Sequence, residues 1–261
     1  MYSNPYGGIS ADVAGVLQEL ISPEDEYHTV HTRRMARTLE VFKDQNPKGK
    51  VLELGGSGVF TVAMQRLMPH LEIEVTNFDR SQPVVHEFVP RLTPENFTFT
   101  AYNINLEEEQ IPVERETYDW VICCEVVEHM DVDPMFMLSE VNRVTKRRGH
   151  LLLTTPNITS SRSIDKILHG VEPYFFMQYH RDRSPYRHNY EYSVISISKV
   201  LTAAGYVSEI WTEDTFEDPF FRSIEKLKTI GITIPHIGDN IFAISTKEGP
   251  VRERYPGVIY V

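Results

Sequence analysis

Residues 51–61 read VLELGGSGVFT, a short apolar run that ends in an acid and then passes through small residues into a helical segment. Glycine at such a turn lets the backbone approach a ligand closely, because no Cβ intervenes. Glu53, at the end of the expected strand, favours a ligand that carries an ammonium or a hydroxyl group. A tight turn without a ligand would also use these glycines, so this interpretation needs support from other parts of the chain.

Outward from this stretch, short apolar runs alternate with helical segments. Expected strands cover Val51–Leu54, Leu71–Asn77, Phe97–Tyr102, Trp120–Cys124, His150–Thr154, Tyr206–Thr212 and Asn240–Thr246. Expected helices cover Thr61–Leu67, Val84–Leu92, Asp133–Thr145 and Val194–Ala204, with a helical or loop insert near Pro219–Ile230. The alternation predicts an α/β fold, a Rossmann-like, doubly wound and mostly parallel seven-stranded sheet with helices on both faces. The last two strands are consistent with an antiparallel final pair.

Two further helices are expected before the alternation begins, at Ala11–Ile21 and Pro23–Asp44, the second entered through Ser22 as its N-cap. We therefore expect an N-terminal helical extension or cap at 1–45 and one main domain at 46–261. Residues 157–192 interrupt the alternation after the fifth strand and are rich in aromatic and basic residues. Segments of this length in a compact domain are usually lids or binding segments, so a lid-like, substrate-side insert is expected here.

Charge and composition restrict the partners of the protein. The 261 residues carry a formal charge of −11. The chain as a whole therefore lacks the positive charge that would attract nucleic acids or anionic membranes. The first ten residues lack the pattern of a signal peptide, and no window approaches the roughly 18 apolar residues of a membrane span. Cys123 and Cys124 are neighbours that point to opposite faces of a strand, which argues against a disulfide. A cytoplasmic protein with reduced thiols is expected.

A second acid supports a nucleoside ligand. Asp79 follows the second expected strand and lies 26 residues after Glu53, near the spacing at which a strand-end carboxylate binds ribose hydroxyls. The chain has no Lys-Ser/Thr phosphate loop, so nucleoside triphosphates fit poorly. The two acids and the glycine loop together predict a nucleoside-containing cofactor.

Four segments together resemble class I S-adenosylmethionine-dependent methyltransferases: residues 51–58, Asp79, residues 118–130 and residues 149–157. The resemblance covers residues 50–212 and implies S-adenosyl-L-methionine as cofactor. It implies that Glu53 and the loop hold the methionine moiety, that the end of the second strand holds the ribose and that the next turn holds the adenine. The implied cofactor-binding residues are Glu53, Gly55, Gly56, Ser57, Gly58, Asp79, Arg80, Asn103, Ile104, Asn105 and Glu125.

Two positions depart from the family pattern. The family repeats glycine at alternate positions after the acid, whereas here Ser57 and Val59 take two of those places and glycine stands at Gly56 and Gly58 instead. The acid that usually serves the adenine is replaced by Asn103, whose amide could still accept a hydrogen bond from the adenine amine. The role of each single glycine is therefore left open.

A cluster of acids and histidines follows the fourth expected strand. Glu125, Glu128 and His129 could share one face of a helical turn, and two carboxylates with an imidazole could bind magnesium, manganese or zinc. The segment 187–193, which contains His188, resembles the one that completes the metal site of small-RNA 2′-O-methyltransferases and the matching segment of glycan-tailoring methyltransferases. A divalent metal ion on Glu125, Glu128, His129 and His188 is one alternative. In the other, His129 or His188 is the catalytic base of a metal-free reaction. Both alternatives predict an oxygen nucleophile.

The acceptor is expected to be a small molecule or glycan. Aromatic and basic residues between 174 and 190 suit sugars or acidic groups, with Tyr174, Arg187 and Tyr190 as candidate substrate-binding residues, although they could equally serve packing and solvation. The C-terminal run from Gly238 is similar to the endings of methyltransferases in polysaccharide biosynthesis. We therefore expect O-methylation of a sugar, nucleotide-sugar or other small polar hydroxyl. An RNA 2′-O-methyltransferase, a non-catalytic nucleoside-binding module and a homodimer are left open.

Overall fold

The computed structural model describes residues 5–56, 58–79, 81–90, 92, 97–173, 187–216 and 222–261. Within this part of the chain, eight strands form one mixed sheet in the order β3-β4-β2-β1-β5-β6-β8-β7. The strands are β1 (Lys50–Glu53), β2 (Glu72–Asn77), β3 (Val85–Phe88), β4 (Phe99–Asn103), β5 (Tyr118–Cys124), β6 (Thr145–Pro156), β7 (Tyr206–Glu213) and β8 (Asn240–Lys247). The fold is Rossmann-like, as expected.

The helices cover both faces of this sheet. They are α1 (Ala11–Leu20), α2 (Glu26–Asp44), α3 (Val59–Leu67), α4 (Pro134–Val144), α5 (Ser161–Leu168), α6 (Val194–Ala203) and α7 (Arg222–Thr229), with a 3₁₀ turn at Val127–His129. One apolar layer joins α1, α2 and α3 to the sheet, with Leu17, Leu39 and Phe42 fully buried. The other joins α4 and α6, with Leu138 and Val200 fully buried. Burial of such side chains supplies most of the folding free energy.

The parallel core of the sheet brings several strand ends to one edge. β1 pairs in parallel with β2 on one side and with β5 on the other, β2 pairs with β4, and β5 pairs with β6. The chain order reverses between β1 and β5, and in open α/β sheets ligands bind at the carboxyl ends of the strands beside such a reversal. The fold therefore predicts a ligand site among the loops that follow β1, β2, β4 and β5.

The prediction of a helix at Val84–Leu92 is wrong. Residues Val85–Phe88 form β3, which pairs antiparallel with β4 at the edge of the sheet. Pro83 and Pro90 bracket the segment, and a short segment between prolines with β-branched valine suits an edge strand better than a helix. This strand accounts for the difference between the seven strands expected and the eight found in the described residues.

The insert expected at 157–192 is not irregular throughout, because Ser161–Leu168 form the helix α5, and its residues 174–186 lie outside the described residues. The remaining elements differ less from expectation. The second helix begins at Glu26 rather than Pro23, and its N-cap is Asp25 rather than Ser22, because the Asp25 carboxylate accepts a hydrogen bond from the His28 main-chain N–H. Ser193 caps α6 as predicted, through a capping box with Ser196. The expected antiparallel ending is confirmed, since β8 pairs antiparallel with both β6 and β7. In the described residues, no helix has the length and apolar character needed to cross a lipid bilayer.

Candidate functional site

A cavity of about 1250 Å³ opens at the carboxyl edge of the parallel strands. It is larger than the 300–1,000 Å³ of a typical small-molecule pocket, which leaves room for two ligands. The loops after β1, β2, β4 and β5 line it, together with α2 and the segments 187–189, 215–216 and 239–240. Strand ends and remote segments thus meet around one space.

The loop after β1 forms one end of this cavity. Glu53 is buried and accepts a hydrogen bond from the Thr61 hydroxyl at 2.6 Å, which fixes one carboxylate oxygen. Gly55 has φ of +67°, a left-handed conformation that favours glycine, and its N–H donates to the Thr76 hydroxyl. A Cβ on Gly56 would lie 2.8 Å from Cβ of Val75 in β2, so the tight approach of loop and strand requires glycine there.

Gly55 and Gly56 line the cavity, whereas Gly58 does not. Gly58, at φ +79°, is the N-cap of α3 instead. The glycines of this loop therefore have two different roles. Gly55 and Gly56 allow the loop to approach the cavity and β2 closely, and Gly58 caps the start of α3. Ser57 and Arg80, both expected to bind cofactor, lie outside the described residues.

Asp79 lines the cavity at the end of β2. Its carboxylate accepts hydrogen bonds from the hydroxyl and the N–H of Ser81, which lower the pKa of Asp79. A carboxylate that stays charged is a strong acceptor for neighbouring hydroxyl groups. The position and charge of Asp79 therefore suit the ribose role expected from the sequence.

The structure does not place Asn103 in the cavity. Its side-chain amide donates to the main-chain oxygens of Asp79 and Gln82, and its side-chain oxygen accepts from the Asp79 N–H at 2.7 Å. These bonds use the amide to shape the loop after β2, so Asn103 supports Asp79 rather than facing a ligand. Ile104 and Asn105 line the cavity.

Glu125 lies apart from the other predicted metal ligands. Its φ of +57° turns the chain in the left-handed sense right after β5, so it does not continue as one helical turn with Glu128 and His129. Its carboxylate accepts hydrogen bonds from Arg34 at 2.8 Å, from Thr154 at 2.9 Å and from Asn240 at 3.0 Å. Glu125 still lines the cavity, but as the centre of this network.

Glu128, His129 and His188 do come together. One donor atom from each lies within 4.8 Å of the others, a spacing that a single cation could bridge. Glu128 is fully buried; its Oε2 accepts from the Thr155 hydroxyl, and within the described part of the chain its Oε1 has no hydrogen-bond partner. Burial raises the pKa of the Glu128 carboxyl well above its usual range, and the charge of Glu125 adds to the rise. A positive charge beside Oε1 would relieve this cost.

The His129 ring is oriented by its main-chain neighbour. Its Nδ1 lies 3.0 Å from the carbonyl oxygen of Arg187, which can only accept, so the proton belongs on Nδ1 and the lone pair on Nε2. That Nε2 lies 4.0 Å from Oε1 of Glu128. Burial lowers the pKa of His129, which keeps the ring neutral and able to accept a proton or bind a cation.

One wall of the cavity comes from α2 and was missed in the sequence. Tyr27, His31 and Phe216 form a row of rings, with centroids 4.6 Å apart for Tyr27 and His31 and 5.4 Å apart for His31 and Phe216. Burial lowers the pKa of His31 to about 4, so this ring is neutral near pH 7. The signal was present, since Tyr27, His31 and Arg34 recur at helical spacing on one face.

The three predicted substrate-binding residues differ in where they lie relative to the cavity. Arg187 lines the cavity beside His129, and its Nε donates to the Asn189 side-chain oxygen at 2.6 Å. Tyr190 does not line the cavity; its ring packs on Tyr192, with centroids 4.8 Å apart. Tyr174 lies outside the described residues.

Comparison with known proteins gives the family and supports the fold. Residues 27–209 match the model of a family described as "Methyltransferase domain". The fold is similar to that of a SAM-dependent methyltransferase from Thermotoga maritima, with a TM-score of 0.56 at 15% identity over 90% of this chain and 99% of that one. It is also similar to one from Archaeoglobus fulgidus, with a TM-score of 0.56 at 14% identity over 83% and 94% of the two chains. None of the curated proteins compared matches the sequence.

Proposed function

The chain belongs to the methyltransferase-domain family, a family of S-adenosylmethionine-dependent enzymes, and we propose that it methylates a hydroxyl oxygen of a small polar acceptor such as a sugar or nucleotide-sugar. The observation that carries the choice of oxygen is the group of Glu128, His129 and His188 at one end of the cavity. An alcohol must lose its proton to become a good nucleophile, whereas a neutral amine needs no such help. A base or a cation is therefore most useful for an oxygen acceptor.

The methyl donor is assigned to the end of the cavity nearest β1, β2 and β4. In this proposal Glu53, Gly55 and Gly56 hold the methionine moiety, Asp79 holds the ribose hydroxyls, and Ile104 and Asn105 lie beside the adenine. The support is that all six line one cavity and that the pKa of Asp79 is lowered. This assignment leaves the other end of the cavity for the acceptor.

Glu125 links the two ends. Its carboxylate is held by Arg34, Thr154 and Asn240, so it has a fixed position between the glycine loop and the acid-histidine group. We assign it to shaping the cavity between donor and acceptor rather than to holding a cation. A fixed wall at this point would help to align acceptor oxygen, methyl carbon and departing sulfur, the alignment that an in-line displacement requires.

The residues of the acid-histidine group also fit a divalent metal ion. Glu128, His129 and His188 would hold it, and one carboxylate with two imidazoles is a borderline donor set suited to manganese or zinc. The buried Oε1 of Glu128, with no hydrogen-bond partner among the described residues, is the observation that favours a cation there. A bound cation would lower the pKa of an acceptor hydroxyl. Without one, His129 or His188 would take the proton.

The acceptor end also carries features of a sugar or small polar ligand site. The rings of Tyr27, His31 and Phe216 offer a stacking surface on one side. Arg187 and Asn189 offer polar groups beside the histidines. A flat ring face with a few directed polar groups around it is a common arrangement for small-ligand recognition.

Calorimetry followed by turnover measurement tests this function. We expect S-adenosylmethionine to bind and NAD not to bind, and S-adenosylhomocysteine to form when hydroxyl-bearing sugars and nucleotide-sugars are supplied. A parallel series with a chelator reveals whether the metal is required. Turnover with RNA but with no small hydroxyl compound would replace the proposal by RNA 2′-O-methylation, and donor binding without any turnover would indicate a binding module.

A further inference from the structure

The segment that carries His188 is attached to the turn that carries Glu128 and His129. The Asn189 N–H donates to the carbonyl oxygen of Glu128 at 2.8 Å, and the Asn189 side-chain amide donates to the carbonyl oxygen of His129, also at 2.8 Å. The Asn189 side-chain oxygen in turn accepts from Arg187 Nε. These bonds place His188 beside His129, with ring centroids 5.1 Å apart and planes at 77°.

Behind His188 lies a second buried acid, Glu191. Its side chain is fully buried, and its Oε1 lies 2.8 Å from Nδ1 of His188. Its Oε2 is also buried and has no hydrogen-bond partner among the residues that the structure describes. Across the same described ranges, the one ion-pair contact of Glu191 is with His188. Burying a carboxylate with so few partners is costly, so this acid calls for an explanation beyond packing.

The contact determines which nitrogen of His188 carries the proton. An ionised carboxylate can only accept, so Nδ1 of His188 is the donor and Nε2 carries the lone pair. His129 has the same arrangement, with its Nδ1 on the Arg187 carbonyl oxygen. Two different acceptors, a main-chain carbonyl oxygen and a buried carboxylate, therefore favour the same tautomer in the two rings.

We infer that Glu191 is a positioning residue, which fixes the tautomer and orientation of His188 so that its Nε2 can act with Nε2 of His129 and Oε1 of Glu128 on a divalent cation or an acceptor proton. The inference rests on the proposed function for the use of those atoms. The tautomer and orientation of His188 themselves depend only on the contact with Glu191. Carboxylates behind metal-binding histidines commonly contribute about 10–100-fold to metal affinity or activity.

The first arm of the test uses the metal-free protein and ¹⁵N NMR of the imidazole nitrogens. In the wild type we expect His188 to be protonated on Nδ1. Glu191→Leu removes the acceptor and should give a mixture of tautomers at His188, with His129 unchanged. Glu191→Gln keeps an acceptor but loses the charge and should have a smaller effect. An unchanged His188 tautomer in both variants would overturn the inference.

The second arm titrates Mn²⁺ into the same proteins by calorimetry. We expect about 10–100-fold weaker binding for Glu191→Leu and a smaller loss for Glu191→Gln. The matched control is Glu140→Gln, since Glu140 is another buried acid but pairs with Arg143 away from the cavity. Equal Mn²⁺ affinity in wild type and both Glu191 variants would also contradict the inference. A wild type that binds no Mn²⁺ would remove only the metal from the proposed function, because the NMR arm decides the positioning role by itself.

Discussion

The two ends of the cavity are built in different ways. The proposed donor end, defined as the cavity-lining residues between Glu53 and Asn105, consists of the ends of β1 and β2, the first turn of α3 and the loops after β1, β2 and β4. The proposed acceptor end, defined as the lining residues of α2, 125–131, 187–189, 215–216 and 239–240, comes from five separate parts of the chain. The pairing of the strands positions the first, and main-chain hydrogen bonds and side-chain contacts between remote segments position the second. Replacing a residue at one end should therefore impair the function of that end and leave binding at the other end unchanged.

Among the replacements at the acceptor end, His188→Ala should have the strongest effect. We expect turnover to fall by about 10²–10⁴-fold, because the ring would serve as base or ligand in the proton step. Donor affinity measured by calorimetry should stay unchanged, since His188 belongs to the acceptor end. His169→Ala replaces an exposed histidine beyond α5 and is the matched control. Unchanged turnover in His188→Ala would contradict both the base role and the ligand role.

The converse change is Asp79→Ala at the donor end. It should weaken binding of S-adenosylmethionine by about 10–100-fold, because hydrogen bonds to a charged group contribute about 1.5–3 kcal/mol. Mn²⁺ affinity should not change, because Asp79 is not in the acid-histidine group. Glu72→Gln, an exposed acid at the start of β2, is the control. A parallel loss of donor and Mn²⁺ binding would show that the two ends are coupled.

A smaller effect, on stability, is expected from the charge of Asp214. Asp79 has a lowered pKa, whereas burial and the charge of Asp239 raise the pKa of Asp214, the residue between β7 and the cavity-lining Thr215, to about 6. Folding therefore favours protonated Asp214, so this group's contribution to stability is full below its unfolded pKa of 3.8 and is lost as pH rises through about 6. Asp214→Asn should raise the free energy of unfolding at pH 7 by about 1 kcal/mol, after discounting for partial exposure.

Urea denaturation at pH 7 and at pH 4 measures this gain. The gain should shrink at the lower pH, where Asp214 of the wild type is protonated in the folded protein. Equal gains at the two pH values would attribute the effect to packing rather than to charge. A loss of stability at pH 7 would show that the attraction of Asp214 to Arg33 and Arg162 outweighs its burial.

The sequence brought Glu53, Gly55 and Asp79 to the cavity that they line in the structure because the signals for their placement are local. Glu53, Gly55 and Asp79 each stand next to the end of a strand, and the chain pattern alone places those ends at one edge. Asn103 differs because its amide bonds to the main chain of a neighbouring loop, a contact that no spacing rule reveals. The helix expected at Val84–Leu92 was wrong because the pairing of β3 with β4 decided the structure of that segment.

The acceptor end was predicted only where a motif exists. Glu128 and His129 were grouped from their spacing and His188 was added through a resemblance, whereas the separation of Glu125 depends on one left-handed residue. The wall on α2 was missed because the helical spacing of Tyr27, His31 and Arg34 shows that they share one face but not that this face meets the end of β5. Tertiary packing creates that meeting, through the ion pair of Arg34 with Glu125.

That ion pair has a consequence for how such enzymes diversify. Tyr27, His31 and Arg34 project from one helix that precedes β1, whereas donor recognition is assigned to loops that begin at Glu53. Mutations along a single helical stripe can therefore remodel the acceptor wall while the donor loops stay intact. Arg34 limits this freedom, because replacing it alone would leave a largely buried Glu125 without its cation. Variation along the stripe is expected at Tyr27 and His31 first, with Arg34 and Glu125 changing only as a pair.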